Sequence, residues 1–220
     1  MAEVELPTIL PVFPLPNVVL FPDAMLPLHI FEPRYRQMIR DTKDKTPPLI
    51  GMALLRGNWQ EQYEGQPEIF PVCCAGELVR VAPLADGRFN LLLRGVREYR
   101  IKEEIQEPGK LYRQFVVEWR ELDRQPLASA LRQELNQLLE AYLQKNETVQ
   151  KFLSDPTVGD EFFVNFFAFH LDLLPLEKQS LLDATSLPER ATLLRDTLDF
   201  KLTEGRWAEG GGPSSKPRLH

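Results

Sequence analysis

The sequence predicts an α+β protein, with strands in its first half and helices in its second. Two patterns support this division. Up to about residue 120, short apolar runs alternate with turn signals, of which Asp86–Gly87 is the strongest. From Leu127 onward, apolar residues recur three or four positions apart, which is the spacing of one helix face. We therefore expect a small closed or nearly closed β-barrel with one short helix, followed by an α-helical bundle.

The opening segment, LPVFPLPNVVLFPDAMLPLHIF (residues 10–31), mixes prolines with large apolar side chains. We predict a short strand, a turn at Pro16–Asn17, a second short strand, and then a third strand in LPLHIF. Proline is tolerated at strand starts, edges and turns, where no ladder N–H is required. The prolines are therefore expected to mark the ends and edges of strands whose Val, Leu and Phe side chains fill the core.

The rest of the first half contains one predicted helix and several strands. The helix covers Glu32–Asp44, with Pro33 in its first turn, and a compact apolar strand covers Leu49–Leu55. The Asp86–Gly87 turn joins two strands into a hairpin. Further strands follow in YRIKEEI and in YRQFVVEWREL, where apolar and polar residues alternate.

The second half contains four predicted helical segments. The first begins near Leu127, and the second, EFFVNFFAFHLDLL, is apolar almost all round, as in a central buried helix. A proline starts a short helix in PLEKQSLLDA, and Ser186 with Glu189 forms a capping box before the last helix. The sequence thus divides into a barrel over residues 1–121, a helical bundle over 122–204, and a disordered tail over 205–220.

Composition and charge are typical of an ordinary globular protein and disfavour nucleic-acid binding. Of the 220 residues, 43% are hydrophobic and 26% are charged, with a net charge of −6. Residues 121–220 carry 11 Lys and Arg against 16 Asp and Glu, and the first 120 residues are nearly balanced. Neither half has the basic excess that phosphate binding requires. No membrane-spanning run or signal peptide is evident, so we expect a cytoplasmic protein without membrane contact.

The cysteine and histidine residues give no metal or disulfide signal. Cys73 and Cys74 are adjacent, and neighbours on a strand point to opposite faces, so we expect one thiol in the core and one outside. His29 and Glu32 lie close together, but His170 is distant, and a metal site needs three or four converging ligands. We expect no metal, no cofactor and no catalytic residues.

Four segments, in order along the chain, resemble the N-terminal domain of Lon proteases. They are LPVFPLPNVVLFPDAMLPLHIFEPRY, ALLRGNWQEQYEGQPEIFPVCCAGELVRV, DGRFNLLLRGVREYRI and LPLEKQSLLDATSLPERATLLRDTL, and together they span roughly residues 6–202. The resemblance implies a PUA-like β-barrel followed by a helical bundle. It also implies a domain that binds substrates.

The resemblance concerns only one domain of a Lon protease. The 220 residues contain no G-x-x-x-x-G-K-[ST] phosphate loop and leave no room for the serine–lysine protease domain. We therefore expect a free-standing, non-enzymatic binding module. The resemblance implies that it binds unfolded or hydrophobic polypeptide in protein quality control, with a separate protease or ATPase as a partner.

An RNA-binding PUA-like module is the alternative function. It would use a basic cluster, which consists of Arg94, Arg97, Arg100 and Lys102. Glu98, Glu103 and Glu104 interrupt this positive charge, so a solvated outer face is the favoured interpretation.

Four side chains are candidate polypeptide contacts: Arg34, Tyr35, Trp59 and Tyr63. Trp59 and Tyr63 lie in the polar loop RGNWQEQYEGQPE without periodic apolar partners. They either fold back to anchor the loop or line a contact surface, where Trp, Tyr and Arg are favoured. Arg34 and Tyr35 would form a neighbouring wall, whereas Phe31 is expected in the core.

Overall fold

The structure is a computed structural model that describes residues 5–62, 65–143 and 147–209. It contains two compact units. The first comprises the chain up to Asp123 together with Asn165–Ala184, and the second comprises Arg124–Val164 and the chain from Thr185. The expected division into consecutive regions therefore differs from the observed one, because a helical segment from the second half of the sequence belongs to the strand-containing unit.

Within the described part of the first unit, six strands form one mixed sheet. Their bounds are β1 Ile9–Leu15, β2 Met25–Ile30, β3 Leu49–Leu54, β4 Val72–Pro83, β5 Phe89–Ile105 and β6 Arg113–Trp119. The order is β2-β5-β4-β3-β1-β6, with an additional pairing of β5 with β6. The β5–β6 pairing closes β5, β4, β3, β1 and β6 into a ring. The sheet is not a clean barrel, because β2 lies outside this ring and pairs with β5 alone among the described strands. The PUA-like barrel stays a prediction.

The described residues also form six α-helices. They are α1 Pro33–Thr42, α2 Ser129–Tyr142, α3 Glu147–Leu153, α4 Asp160–His170, α5 Pro175–Asp183 and α6 Leu187–Glu209. A short 3-10 helix covers Trp59–Gln62. The proline-started helices α1 and α5 are confirmed, whereas α3 was not predicted. Helix α6 extends five residues into the predicted tail, and residues 210–220 lie outside the described part of the chain. None of the described helices is long and apolar enough to cross a bilayer.

Strand β1 shows how a sheet accommodates proline. Its first half pairs with β6, where Pro11 lies opposite Gln114, and its second half pairs with β3, where Pro14 lies opposite Ala53. The two pairings overlap only at Val12. Each proline therefore lies where β1 pairs on one side, and its missing N–H removes no ladder bond on the other. Pro11 and Pro14 thus lie within β1, at positions where only one side of the strand is paired.

The second short strand predicted in the opening segment is absent. Val19, Leu20 and Phe21 are buried, but their backbone is irregular. This segment lies against β5 at Gly95, where an added Cβ would be 1.9 Å from the Phe21 carbonyl oxygen. The Gly95 amide donates to the Ala24 carbonyl at 2.9 Å. Close backbone approach thus holds the segment without regular strand pairing.

Both cysteines are buried, which corrects the expectation of one exposed thiol. Cys73 is 1% exposed and Cys74 is 0% exposed, and neither forms a disulfide. They do point in opposite directions along β4, but both faces of that strand are covered. Cys73 belongs to the core cluster with Tyr99, and helix α5 packs along β4, where the Gln179 side chain donates to the Val72 carbonyl at 2.9 Å. Burial raises the pKa of Cys73 to about 12.

A buried ion pair fastens α5 to the sheet. Glu98 of β5 and Arg120 pair at 2.8 Å, with side chains only 4% and 12% exposed. The Arg120 guanidinium also donates to the carbonyls of Leu182 and Ala184, each at 2.8 Å, at the C-terminal end of α5. One cation therefore neutralises a buried carboxylate and satisfies carbonyls that the end of a helix leaves without partners.

In the second unit, α2 and α6 pack through apolar stripes. Leu135 and Leu139 of α2 and Leu194 and Leu198 of α6 are fully buried. The predicted capping position is confirmed in part: the Ser186 hydroxyl accepts from the Glu189 amide at 3.2 Å, while the Glu189 carboxylate accepts from Thr185. The helical spacing of the leucines therefore predicted this unit well.

Candidate functional site

An open cleft of about 860 Å³ lies in the first unit, at the start of α1. We call it the α1 cleft. Its walls are the first turn of α1, the loop between β5 and β6, and the backbone near Gly65. The lining residues are Glu32, Pro33, Arg34, Tyr35, Gly65, Gln66, and the continuous segment Glu104–Arg113. Most of the wall is thus formed by a single loop, most of whose residues are polar.

Gln37 of α1 holds the β5–β6 loop by both ends of its side-chain amide. Its Nε2 donates to the Gly109 carbonyl at 2.8 Å, and its Oε1 accepts from the Leu111 amide at 2.8 Å. Gly109 has a φ of 86°, a left-handed conformation that favours glycine. These two bonds fix the turn and leave the Leu111 side chain 62% exposed. The loop therefore presents an apolar side chain from a fixed backbone.

Asp41, one turn further along α1, holds the base of the same loop. Its Oδ2 accepts from Lys110 Nζ at 2.9 Å and from the Tyr112 hydroxyl at 3.0 Å. The bond from Lys110 holds the pKa of the Asp41 carboxyl below its usual value, and the bond to Asp41 raises the pKa of Lys110. Burial, and then the bond to Asp41, raise the pKa of Tyr112 to about 12. The carboxylate is ionised and the phenol is neutral at pH 7.

Arg113 joins the remaining walls. Its guanidinium makes two bonds of 2.7 Å to the Glu104 carboxylate, and a third of 2.8 Å to the Pro67 carbonyl. It also lies 5.0 Å from the centre of the Phe115 ring. A bidentate, partly buried pair of this kind is geometrically rigid. It fixes the end of β5 and the segment after Gly65 in one arrangement.

The sequence-predicted residues Arg34 and Tyr35 both line the α1 cleft. Arg34 pairs with Glu32 at 2.8 Å, and its guanidinium lies 4.7 Å from the centre of the Tyr35 ring. Tyr35 is only 4% exposed, and its ring lies 4.1 Å from that of Phe13. Tyr35 therefore contributes mainly packing to the wall, and Arg34 is the more accessible of the two.

Trp59, Tyr63 and Phe31 are placed differently. Trp59 starts the 3-10 helix, is half-buried, and does not line the α1 cleft. Tyr63 lies outside the described residues. Phe31 is 60% exposed, so its expected place in the core was wrong. It directly follows β2, the strand that pairs only with β5 among those described, and its ring stacks near His29 at 6.3 Å.

The basic side chains considered for RNA binding are largely matched by carboxylates. Arg94 pairs with Glu77 at 2.5 Å, Arg97 with Glu121 at 3.4 Å, and Lys102 with Glu118. Glu98 is buried with Arg120 rather than exposed between these cations, which corrects its expected position on the outer face. The described residues form no continuous positive stripe of the kind that RNA binding needs, and RNA binding is not supported.

The α1 cleft has the chemistry of a contact surface. Among its described lining residues, the three cations each pair with a carboxylate, so their charge is internally balanced. Leu111 supplies apolar surface, and the β5–β6 loop supplies main-chain groups. Across the described residues, no group of three or more His, Cys, Asp and Glu side chains could hold a metal ion.

Sequence reasoning missed Leu111, Gln37 and Asp41. Pro108–Gly109 is a turn signal, and an apolar residue directly after such a turn is a candidate for presentation at a loop tip. Gln37 and Asp41 lie four residues apart, which places them on the same face of α1. These signals were present, but only the fold brings the loop and the helix together.

Comparison with solved structures supports the fold. A Lon N-terminal domain protein from Xanthomonas campestris has a TM-score of 0.64 and 24% identity, covering 85% of this chain and 96% of that one. The N-terminal domain of Mycobacterium avium complex Lon protease has a TM-score of 0.67 and 19% identity, covering 87% and 98%. At these identities the similarity shows a shared fold.

Comparison with characterised sequences gives the family. The Lon protease of Cytophaga hutchinsonii is 22% identical over 207 residues, and that of Flavobacterium johnsoniae is 24% identical over 196 residues. The matches cover 90% and 87% of this chain but only 25% and 24% of those proteins, so the chain spans about a quarter of their length. The profile of the ATP-dependent protease La (LON) substrate-binding domain matches residues 9–199. The chain therefore belongs to the LON substrate-binding domain family.

Proposed function

We propose that the chain is a substrate-recognition module that binds unfolded or hydrophobic polypeptide segments in the α1 cleft. Membership of a substrate-binding domain family supports the recognition of polypeptide. The observation that carries the location is the β5–β6 loop, which Gln37 and Asp41 fix in place while Leu111 stays 62% exposed. A preorganised loop loses little conformational freedom on binding, so its apolar contact contributes more to affinity.

The mechanism is binding without a covalent step. An extended segment would place an apolar side chain against Leu111 and the aliphatic part of Arg34, and its amides would bond to main-chain groups of the loop. The paired charges of the cleft wall make this recognition tolerant of sequence. Such binding fits a role in cytoplasmic protein quality control, in which a separate protease or ATPase acts on the captured polypeptide. We expect micromolar affinity without ATP.

Fluorescence anisotropy with a labelled, permanently unfolded polypeptide tests the proposal. Leu111→Asp places a charge where the apolar contact is expected and should weaken binding about tenfold. Arg34→Ala should weaken it about threefold, because Arg34 contributes only part of the contact. Val79→Asp is the matched control, since Val79 is 51% exposed on β4 and lies away from the lining residues.

Circular dichroism of each variant establishes that it is folded. Equal affinity of the Leu111→Asp variant and the wild type would exclude the α1 cleft as the binding site. If the Val79→Asp variant loses as much polypeptide affinity as the Leu111→Asp variant, the measured binding is unspecific.

A further inference from the structure

A second groove, of about 590 Å³, lies between α2 and α6 in the other unit. We call it the α2–α6 groove. Its lining side chains are Glu134, Gln137, Leu138, Ala141, Arg195, Asp196, Asp199 and Leu202. On each helix they are spaced by one, three or four positions, so they form one face on each helix. The groove therefore has the form into which a third helix packs its own ridge of side chains.

The apolar part of the groove is small and lies toward one end. Leu138 and Ala141 of α2 and Leu202 of α6 line it. These side chains are one turn apart on α2, and a partner helix with apolar residues at matching intervals would cover them. Helical peptides commonly dock in this way, with anchors three or four positions apart.

The charged part of the groove is unbalanced. Arg195 bonds to Asp196 at 2.7 Å and reaches Glu134 at 3.4 Å, so one cation lies between two of the three lining carboxylates. Asp199, exposed and one turn further along α6, adds a third carboxylate. Among the described lining residues, three carboxylates and one guanidinium leave two surplus negative charges. This surplus favours a cationic occupant.

We propose that the α2–α6 groove binds a basic amphipathic helix of a partner protein. The apolar face of that helix would lie on Leu138, Ala141 and Leu202, and its Lys or Arg side chains would pair with Asp199 and Asp196. This site is independent of the polypeptide-binding cleft and uses different residues. Charge complementarity at the rim of such an interface provides specificity and a fast association rate.

Two synthetic helical peptides test the site directly. They share one apolar face and differ only at the flanking positions, which are lysine in one and glutamate in the other. Measured by fluorescence anisotropy at low salt, the lysine peptide should bind the whole chain at least about tenfold more tightly than the glutamate peptide. Equal binding of the two peptides would overturn the proposal.

Charge reversal then locates the binding. Asp199→Lys should weaken binding of the lysine peptide about fivefold, and Asp199→Asn should weaken it by less, because it removes the attraction without adding repulsion. Glu147→Lys is the matched control, since Glu147 is an exposed α3 carboxylate outside the groove. An unchanged affinity for the Asp199→Lys variant, or the same loss in the Glu147→Lys variant, would contradict the assignment.

Discussion

The α1 cleft and the α2–α6 groove use charged side chains in opposite ways. In the cleft, Arg34, Lys110 and Arg113 each bond to a carboxylate of the same unit, so the charges serve to fix the walls. In the groove, Arg195 is outnumbered by the carboxylates around it. Charged side chains near a cavity therefore do not by themselves indicate what binds there. The chemistry of the occupant depends on whether those side chains are already paired within the protein.

The arginine side chains that form ion pairs in the two units also differ in burial. Arg120, which fastens α5 in the unit of the cleft, has a side chain 12% exposed and a partner 4% exposed. Arg195, in the groove, has a side chain 34% exposed with partners more exposed still. Water screens the second pair far more than the first. Equal chemical changes at the two arginines should therefore have very different costs.

The largest expected effect is that of Arg120→Ala. It leaves the Glu98 carboxylate buried without this cation and removes donors from three carbonyls at the end of α5. We expect the free energy of unfolding to fall by about 3–5 kcal/mol. The matched change Arg195→Ala should cost less than about 1 kcal/mol. Urea denaturation of both variants measures the difference, and similar costs would show that the two ion pairs are equivalent.

A smaller effect is expected for Asp41→Asn. The carboxylate accepts two bonds from the β5–β6 loop, and an amide cannot reproduce the charged bond from Lys110. We expect a loss of about 1 kcal/mol in the free energy of unfolding, because the pair is partly exposed to solvent. Polypeptide binding should weaken as well, since the loop becomes less ordered. Glu134→Gln in the groove is the control. If polypeptide affinity falls equally in both variants, Asp41 has no specific role in polypeptide binding.

Salt should separate the two sites. Because the cleft cations are already paired, polypeptide affinity should change by less than about twofold between roughly 0.05 and 0.5 M salt. Over the same range, binding of the lysine-containing helix to the groove should fall about tenfold. Anisotropy titrations at both salt concentrations compare them. A steep salt dependence of polypeptide binding would mean that charge, and not apolar contact, dominates in the cleft.

The smallest expected effect is a change in the free energy of unfolding at acidic pH. The bond from Lys110 lowers the pKa of Asp41 in the folded state. The stabilisation is therefore fully present above the pKa of an unfolded aspartate, about 3.9, and is lost as the pH falls through the lower folded value. The difference in unfolding free energy between wild type and Asp41→Asn should be constant from pH 7 to about 5 and shrink below about pH 4. A constant difference down to pH 3 would contradict this origin.

Local signals in the sequence predicted the positions of helix starts and turns better than they predicted which side chains are buried. Pro33, Pro175 and the Asp86–Gly87 turn each act through their own backbone, and all three were correctly placed. One of the two cysteines, Cys73 and Cys74, was expected outside because alternation along a strand gives only a direction. Whether that direction meets solvent depends on what covers the strand, and such contacts are distant in the sequence.

The same reason explains which residues near the α1 cleft the sequence could indicate. Arg34 and Tyr35 line the α1 cleft, and both lie in the first turn of a helix that the sequence predicted. Leu111 was missed because its loop is polar and lacks periodicity, and its presentation depends on Gln37, 74 residues earlier. Glu98 was misplaced because Arg120, its partner, lies 22 residues away.

The most direct test of the proposed function is photo-crosslinking from the cleft itself. A photoreactive side chain in place of Leu111 should crosslink an unfolded polypeptide, and the same group in place of Val79, on the outer side of β4, should not. Both positions are more than half exposed, so they differ in location and not in access. Crosslinks at position 111 alone are the result that we predict. Equal crosslinking at both positions, or none at position 111, would contradict polypeptide recognition by the α1 cleft.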